Sequence, residues 1–168
     1  MSTLPETWAK RFGAVALINA LISLVWAIFP LFVDQNISRY IAGGSVGTWG
    51  YLGFLALIVG GFAGMTSMAF LYYIIPKTTG GSINNILAWL NLALLEVGIL
   101  GLSTLLGYAG YIGGKLLYEK KASEIHQAIV WTVDWNGLPT VAIFLGLAGL
   151  GALFGIIALF LTFRGKKA

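Results

Sequence analysis

The chain has 168 residues, of which 58% are hydrophobic and only 10% charged, with a mean hydropathy of +0.88. Soluble domains carry roughly 25% charged residues, so there is too little polar surface here to cover a water-soluble globule. The composition excludes a soluble enzyme, a disordered chain and, with no cysteine, a disulfide scaffold or a thiolate metal site. The net charge of +4 does not indicate nucleic-acid binding, because the lysines and arginines sit at the ends of apolar runs, where membrane topology places them.

Four apolar runs are long enough to cross roughly 30 Å of hydrocarbon at 1.5 Å per residue. They cover about 12–33, 50–75, 86–112 and 138–163 and belong to a single integral membrane domain. All four are continuous rather than alternating, which excludes a β-barrel pattern and predicts an all-α, polytopic bundle of four transmembrane helices. Lys10 and Arg11 precede the first run as they would a signal peptide, but the run is too long and lacks a small-residue cleavage site, so a retained helix is expected.

Four spans place both termini on one side. That side holds Lys10, Arg11, Lys77, Arg164, Lys166 and Lys167, and the other holds Arg39, Lys115, Lys120 and Lys121. The balance predicts cytoplasmic termini in a multi-pass protein of the cell (plasma) membrane.

In chain order, the first notable pattern is Ala56, Gly60 and Gly64 in the second span, small residues four apart that predict a smooth packing stripe. Pro76, followed by Lys77 and Thr78-Thr79-Gly80-Gly81, is expected to stop that span and make the second and third helices antiparallel neighbours. In the third run Glu96 is the only charged residue well inside a span, with Asn91 and Ser103 as its nearest polar neighbours on the same helix. A carboxyl at that depth reads either as a proton, ion or quinone contact or as a protonated group hydrogen-bonded to a neighbouring helix. Gly110 and Gly114 follow, and the pair Gly113-Gly114 is assigned to the outer loop, as is Gly43-Gly44.

The outer segment from Lys115 to Pro139 is long enough to hold structure of its own. Ile125, Ala128, Ile129 and Thr132 recur at helical spacing, and Trp131 and Trp135 suit the headgroup level. This predicts a short amphipathic helix in the outer loop and a partner-docking surface at Ile125, Ile129, Trp131 and Trp135. The fourth run carries Gly151 and Gly155, a second packing stripe.

His126 is the only histidine, so neither a zinc site nor bis-histidine haem ligation has the residues it needs, and no metal ligand set is assigned. No serine or threonine nucleophile has a histidine base in a credible constellation, which gives the chain no catalytic residue of its own.

The string Gly60-Gly61-Phe62-Ala63-Gly64 leading to Tyr72-Tyr73-Ile74-Ile75-Pro76-Lys77 resembles the second helix of haem-copper oxidase subunit I, in the branch of cbb3-type oxidases and nitric oxide reductases. Leu87-Ala88-Trp89-Leu90, then Leu106-Gly107-Tyr108 and Leu117-Tyr118-Glu119, resemble that branch's third helix and the loop after it, with Glu96 where a polar residue sits. The family's low-spin haem histidine has no counterpart, its place falling near Phe54, and the helices bearing the copper and active-site haem ligands are absent. The resemblance therefore implies a truncated relative that holds no cofactor of its own. It would act as a non-catalytic accessory subunit of a respiratory electron-transfer complex, with haem and copper in partner subunits. Two other readings stand beside it. One is a small transporter or proton-conducting bundle using Glu96, and the other is a lipid or quinone held between spans two and three near Glu96 and Asn91.

Overall fold

The structure is a computed structural model that describes residues 5–34, 36–42, 45–121, 123–126, 134–135 and 138–165. Four of its helices are long and apolar enough to cross a membrane. The chain is an all-α membrane protein.

Helix α1 (Pro5–Val33) is followed by a short helix α2 (Ile37–Ala42), which no periodicity in the sequence announces, and by a 3-10 turn at Ser45–Gly47. The second span, Thr48–Thr79, is one rod of three segments: α3 (Thr48–Leu55), a π-helical stretch (Ala56–Gly64) and α4 (Met65–Thr79). Helix α5 (Asn85–Tyr118) and helix α6 (Thr140–Arg164) complete the bundle. α1 rests mainly on α4 and the π-helical stretch, α3 packs on α5, and α6 lies along α5 with a smaller contact to α4. α5 is the most enclosed of the four spans.

The π-helical stretch contains Gly60, Gly61 and Gly64, whose freedom from a Cβ lets the turn widen. Where the ladder returns to α geometry, the Thr66 hydroxyl donates to the Phe62 carbonyl (2.7 Å) and the Ser67 hydroxyl to the Ala63 carbonyl (2.9 Å). Carbonyls displaced from the regular ladder are thereby kept satisfied in a medium without water.

Pro76 does not stop the second span. The helix runs on to Thr79 and ends at Gly80, which adopts the left-handed conformation at φ 70° and returns its N–H to the Pro76 carbonyl at 2.8 Å. Pro76 removes the donor to the Tyr72 carbonyl but leaves the residues after it free to stay helical, and the hydroxyls of Thr78 and Thr79 add donors to the Ile75 carbonyl in the last turn. The connection is short and the two helices are antiparallel neighbours, as expected. Asn84 opens α5 by accepting from the N–H groups of Ile86 (3.0 Å) and Leu87 (3.2 Å).

α5 also exceeds its expected length, continuing to Tyr118. Gly113 and Gly114 are buried residues of this helix, not of a loop, and the missing side chain at Gly114 admits the Tyr40 backbone of α2. Beyond it, Lys121 and Glu119 form an ion pair at 3.2 Å. Of the expected amphipathic helix, residues 123–126 form one helical turn, and Asp134–Trp135 instead pair antiparallel with Leu138–Pro139. Within the docking surface assigned from the sequence, Ile125 is half-buried, Ile129 and Trp131 lie outside the described residues, and Trp135 belongs to the two-residue strand.

At the end of the bundle that carries the termini, Phe12 stacks on Tyr72 with ring centroids 4.9 Å apart, and Trp8 meets Trp89 edge-on at 5.3 Å. The Arg11 guanidinium lies over both tryptophan rings, 4.6 Å from Trp8 and 4.7 Å from Trp89. A cation stacked on aromatic faces suits the boundary between headgroups and hydrocarbon.

Candidate functional site

At three span interfaces an interior side chain reaches across to a backbone carbonyl on the neighbouring helix. Asn91 of α5 donates to the Gly151 carbonyl of α6 at 2.8 Å, and Ser103 of α5 donates to the Gly53 carbonyl of α3 at 2.8 Å. Thr162 of α6 places its hydroxyl 2.8 Å from the Ala158 carbonyl of its own helix and 3.3 Å from the Ser82 carbonyl in the loop before α5. Asn19 of α1 donates to the Gly61 carbonyl of the π-helical stretch at 3.2 Å. The acceptors at the three span interfaces are all glycines, and each of these glycines lies directly beneath the helix that donates to it. A Cβ on Gly53 would stand 2.6 Å from the Ser103 carbonyl oxygen, and one on Gly61 would stand 3.0 Å from the Asn19 amide nitrogen. Close backbone approach and the hydrogen bond are thus one device, since a glycine carbonyl is reachable only where no side chain shields it.

This geometry revises the packing stripe of the second span. Gly60 does face α5, where a Cβ would press on Ile99 at 3.0 Å, but beside Gly64 only its own helix, at Val59, comes within 4 Å. The second-span glycines where a Cβ would meet another helix at 3.0 Å or less are Gly53, Gly60 and Gly61. Gly60 and Gly61 are adjacent in the stretch and meet different helices, Gly60 meeting Ile99 of α5 and Gly61 meeting Asn19 of α1. Gly151 and Gly155 do line one seam as expected: both are buried, and a Cβ on Gly155 would stand 2.6 Å from the Asn91 amide nitrogen.

Glu96 is half-buried at the junction of α1, the π-helical stretch and α5. Its Oε2 accepts from Asn19 Nδ2 at 2.9 Å, so the fully buried Asn19 spends one amide hydrogen on Glu96 and the other on Gly61. The Ser23 hydroxyl donates to the Asn19 carbonyl at 2.7 Å, one turn along α1. Asn19 Oδ1 is buried without a hydrogen-bond partner, and the same holds for Asn91 Oδ1 and the Tyr72 hydroxyl.

Asn91 and Glu96, grouped together in the sequence reading, do not share a site. Five residues on a helix turn through about 140° beyond a full revolution, which sends Asn91 toward α6 and Glu96 toward α1. The partner that sequence reasoning missed is Asn19, separated from Glu96 by 77 positions. Its signal was present: an amide within the first apolar run, with Ser23 four residues on.

One open apolar groove of about 570 Å³ runs between α5 and α6 along Val97, Gly101 and Phe144, beside Glu96 in sequence, and two more of about 550–570 Å³ lie farther away. These two open at the other end of the bundle from the termini, around Trp26, Ile37, Ile41, Tyr51 and Tyr108, and none of the three is lined by Asn91. Among the described residues no three His, Asp or Glu side chains gather as a metal would require. The fold and this site together define a four-span integral membrane bundle whose helices are tied by amide and hydroxyl donors, with one half-open carboxyl at mid-span. Comparison with protein families, with curated proteins and with solved structures returned no match.

Proposed function

We propose that the chain is a non-catalytic, integral subunit of a larger membrane complex, in the cell membrane with both termini cytoplasmic. The observation that supports this reading is the use made of its interior polar side chains. Asn19, Asn91 and Ser103 each donate to a backbone carbonyl of a neighbouring span, so much of the polar chemistry of the core serves to hold helices together. The sequence resemblance suggests a respiratory complex, most specifically a haem-copper terminal oxidase, as the host. In that case haem and copper reside in the partner subunits, and this chain supports them.

The test is purification from native membranes through this chain in mild detergent, with a native gel, mass spectrometry and an optical spectrum on the same sample. Recovery with haem-bearing subunits and their absorbance bands is expected. Recovery as a colourless single chain would overturn the reading.

A second reading, a small proton-conducting bundle or transporter, is favoured by one observation, the bond from Asn19 to Glu96 across two spans. It expects Glu96→Gln to abolish flux in liposomes while the protein stays folded, and unchanged flux would remove it.

A further inference from the structure

We propose that the open side of Glu96 is the contact point for a transmembrane helix of a different protein, one that carries a lysine or arginine at the same membrane depth. The inference rests on the subunit reading and sharpens it to a surface and a partner chemistry.

Depth comes first. Glu96 lies about 17 Å along α5 from Asn85, at 1.5 Å per residue, which puts its carboxyl well inside the hydrocarbon rather than at a headgroup. Occupancy comes second. A carboxylate offers about four acceptor positions, and Asn19 is the one described side chain that reaches it, filling one position on Oε2. The remaining face of the half-buried group opens away from the bundle, flanked on α5 by the exposed Ala93 and Val97. Lipid tails offer no donor to that face, and an intramembrane carboxylate pairs with a positive group or faces a polar cavity.

Among the described residues no basic side chain lies within a span near Glu96, in this chain or in a second copy of it. The described basic residues are confined to the span ends and connections: Lys10 and Arg11 at the start of α1, Lys77 at the end of α4, Lys115 in the last turn of α5, Arg164 at the end of α6. Arg39 lies in α2 and bonds to Asn36 and Tyr118, and Lys121 pairs with Glu119. A homodimer across this face would bring two carboxyls together with no cation between them. Charge complementarity therefore selects a heterologous helix. Lysine and arginine fit the task, because their long stems cross the surface beside Ala93 while their three or five N–H donors fill the vacant acceptor positions. Asn19 is the preorganising element on this side. Fixed by Gly61 and by burial, it holds one carboxyl oxygen in place and leaves the other facing outward.

The first experiment uses dicyclohexylcarbodiimide, an apolar reagent that modifies protonated carboxyls reachable from the bilayer, with Glu96 read by mass spectrometry. In native membranes a carboxylate capped by a partner cation is expected to stay unmodified and to become reactive once detergent separates the subunits. Equal modification in both samples means a neutral carboxyl facing lipid, and overturns the proposal.

The second places a photo-crosslinker at Val97 in the full chain. The crosslinked partner is expected to carry a lysine or arginine in an apolar span within a turn of the attachment point. Glu96→Gln keeps the oxygen that accepts from Asn19, so it preserves the fold, and it is expected to lose that partner in mild detergent. Pairing Glu96→Lys with an acidic replacement of the partner's basic residue restores recovery. Full recovery of every partner by the Gln variant overturns the docking proposal and leaves the subunit reading standing. A wild-type chain recovered alone overturns the subunit reading itself.

Discussion

Along the α5–α6 seam the helices touch backbone to backbone, whereas α1 meets the second span through rings and amides. On α5, a Cβ at Gly98 would stand 2.7 Å from the Phe144 carbonyl oxygen, and on α6 one at Gly151 would stand 2.9 Å from the Leu95 Cα. The α1 seam instead stacks Trp8, Phe12 and Tyr72 at the terminal end and places the Asn19–Gly61 bond deeper in the span. Glycine contacts leave no space for adjustment, so the α5–α6 pair is a fixed unit. The α1 seam combines stacked rings with one close approach at Gly61, and at the edge of this seam Glu96 keeps an open side.

The largest expected effect comes from filling the tight seam. Gly151→Val drives two methyl groups into the α5 backbone, and we expect a loss of about 3 kcal/mol or more, read as a drop in Tm or failure to recover folded protein in detergent. Unaltered Tm would show that α5 and α6 separate as easily as α1 does, and the contrast between the seams would collapse.

Next in size is Asn91→Leu, which removes the donor to Gly151 and buries more apolar surface. Interhelical hydrogen bonds in membranes are worth roughly 0.6–2 kcal/mol, and a Leu beside Gly155 also overpacks, so a destabilisation of about 2 kcal/mol is expected in a denaturant titration. Asn19→Leu tests the other seam in the same assay, where a smaller loss is expected because the rings around Trp8 and Phe12 remain.

Smaller, and opposite in sign, is Tyr72→Phe. The hydroxyl is buried with no partner, so its removal costs no hydrogen bond and relieves a desolvated group. Stability should stay level or rise by up to about 1 kcal/mol while the stack with Phe12 persists. A clear loss would show that the hydroxyl is bonded in the membrane.

The smallest expected change sharpens the comparison from outside the seam. Nothing approaches a Cβ at Gly149 within 4 Å, so Gly149→Ala should be neutral or stabilise α6 by up to about 1 kcal/mol through helix propensity. Set beside Gly151→Val, it separates glycines that serve contact from glycines that do not.

The four spans and their antiparallel order were legible because an apolar run of that length has one physical outcome in a membrane, whatever it packs against. Glu96 was legible for the same reason, as a charge where hydrocarbon penalises charge. The stripe at Gly151 and Gly155 was legible because α6 is a regular helix, in which four-residue spacing defines a face. The stripe through Gly64 was misread because equal spacing puts glycines on one face without saying what that face meets, and at Gly64 no other helix comes within 4 Å. Pro76 was misread as a terminator because its cost depends on where the helix ends, which Gly80 decided.

The sequence by itself determined that this is a four-span membrane protein, since hydropathy and length act locally along the chain. Only the tertiary structure decided that Asn19 serves Glu96, that Asn91 serves α6, and that one side of the carboxyl stays open. Those facts depend on how helices far apart in sequence are rotated against one another. That rotation is set by backbone approach at particular glycines and by the widened turn of the second span, neither of which has a local signature.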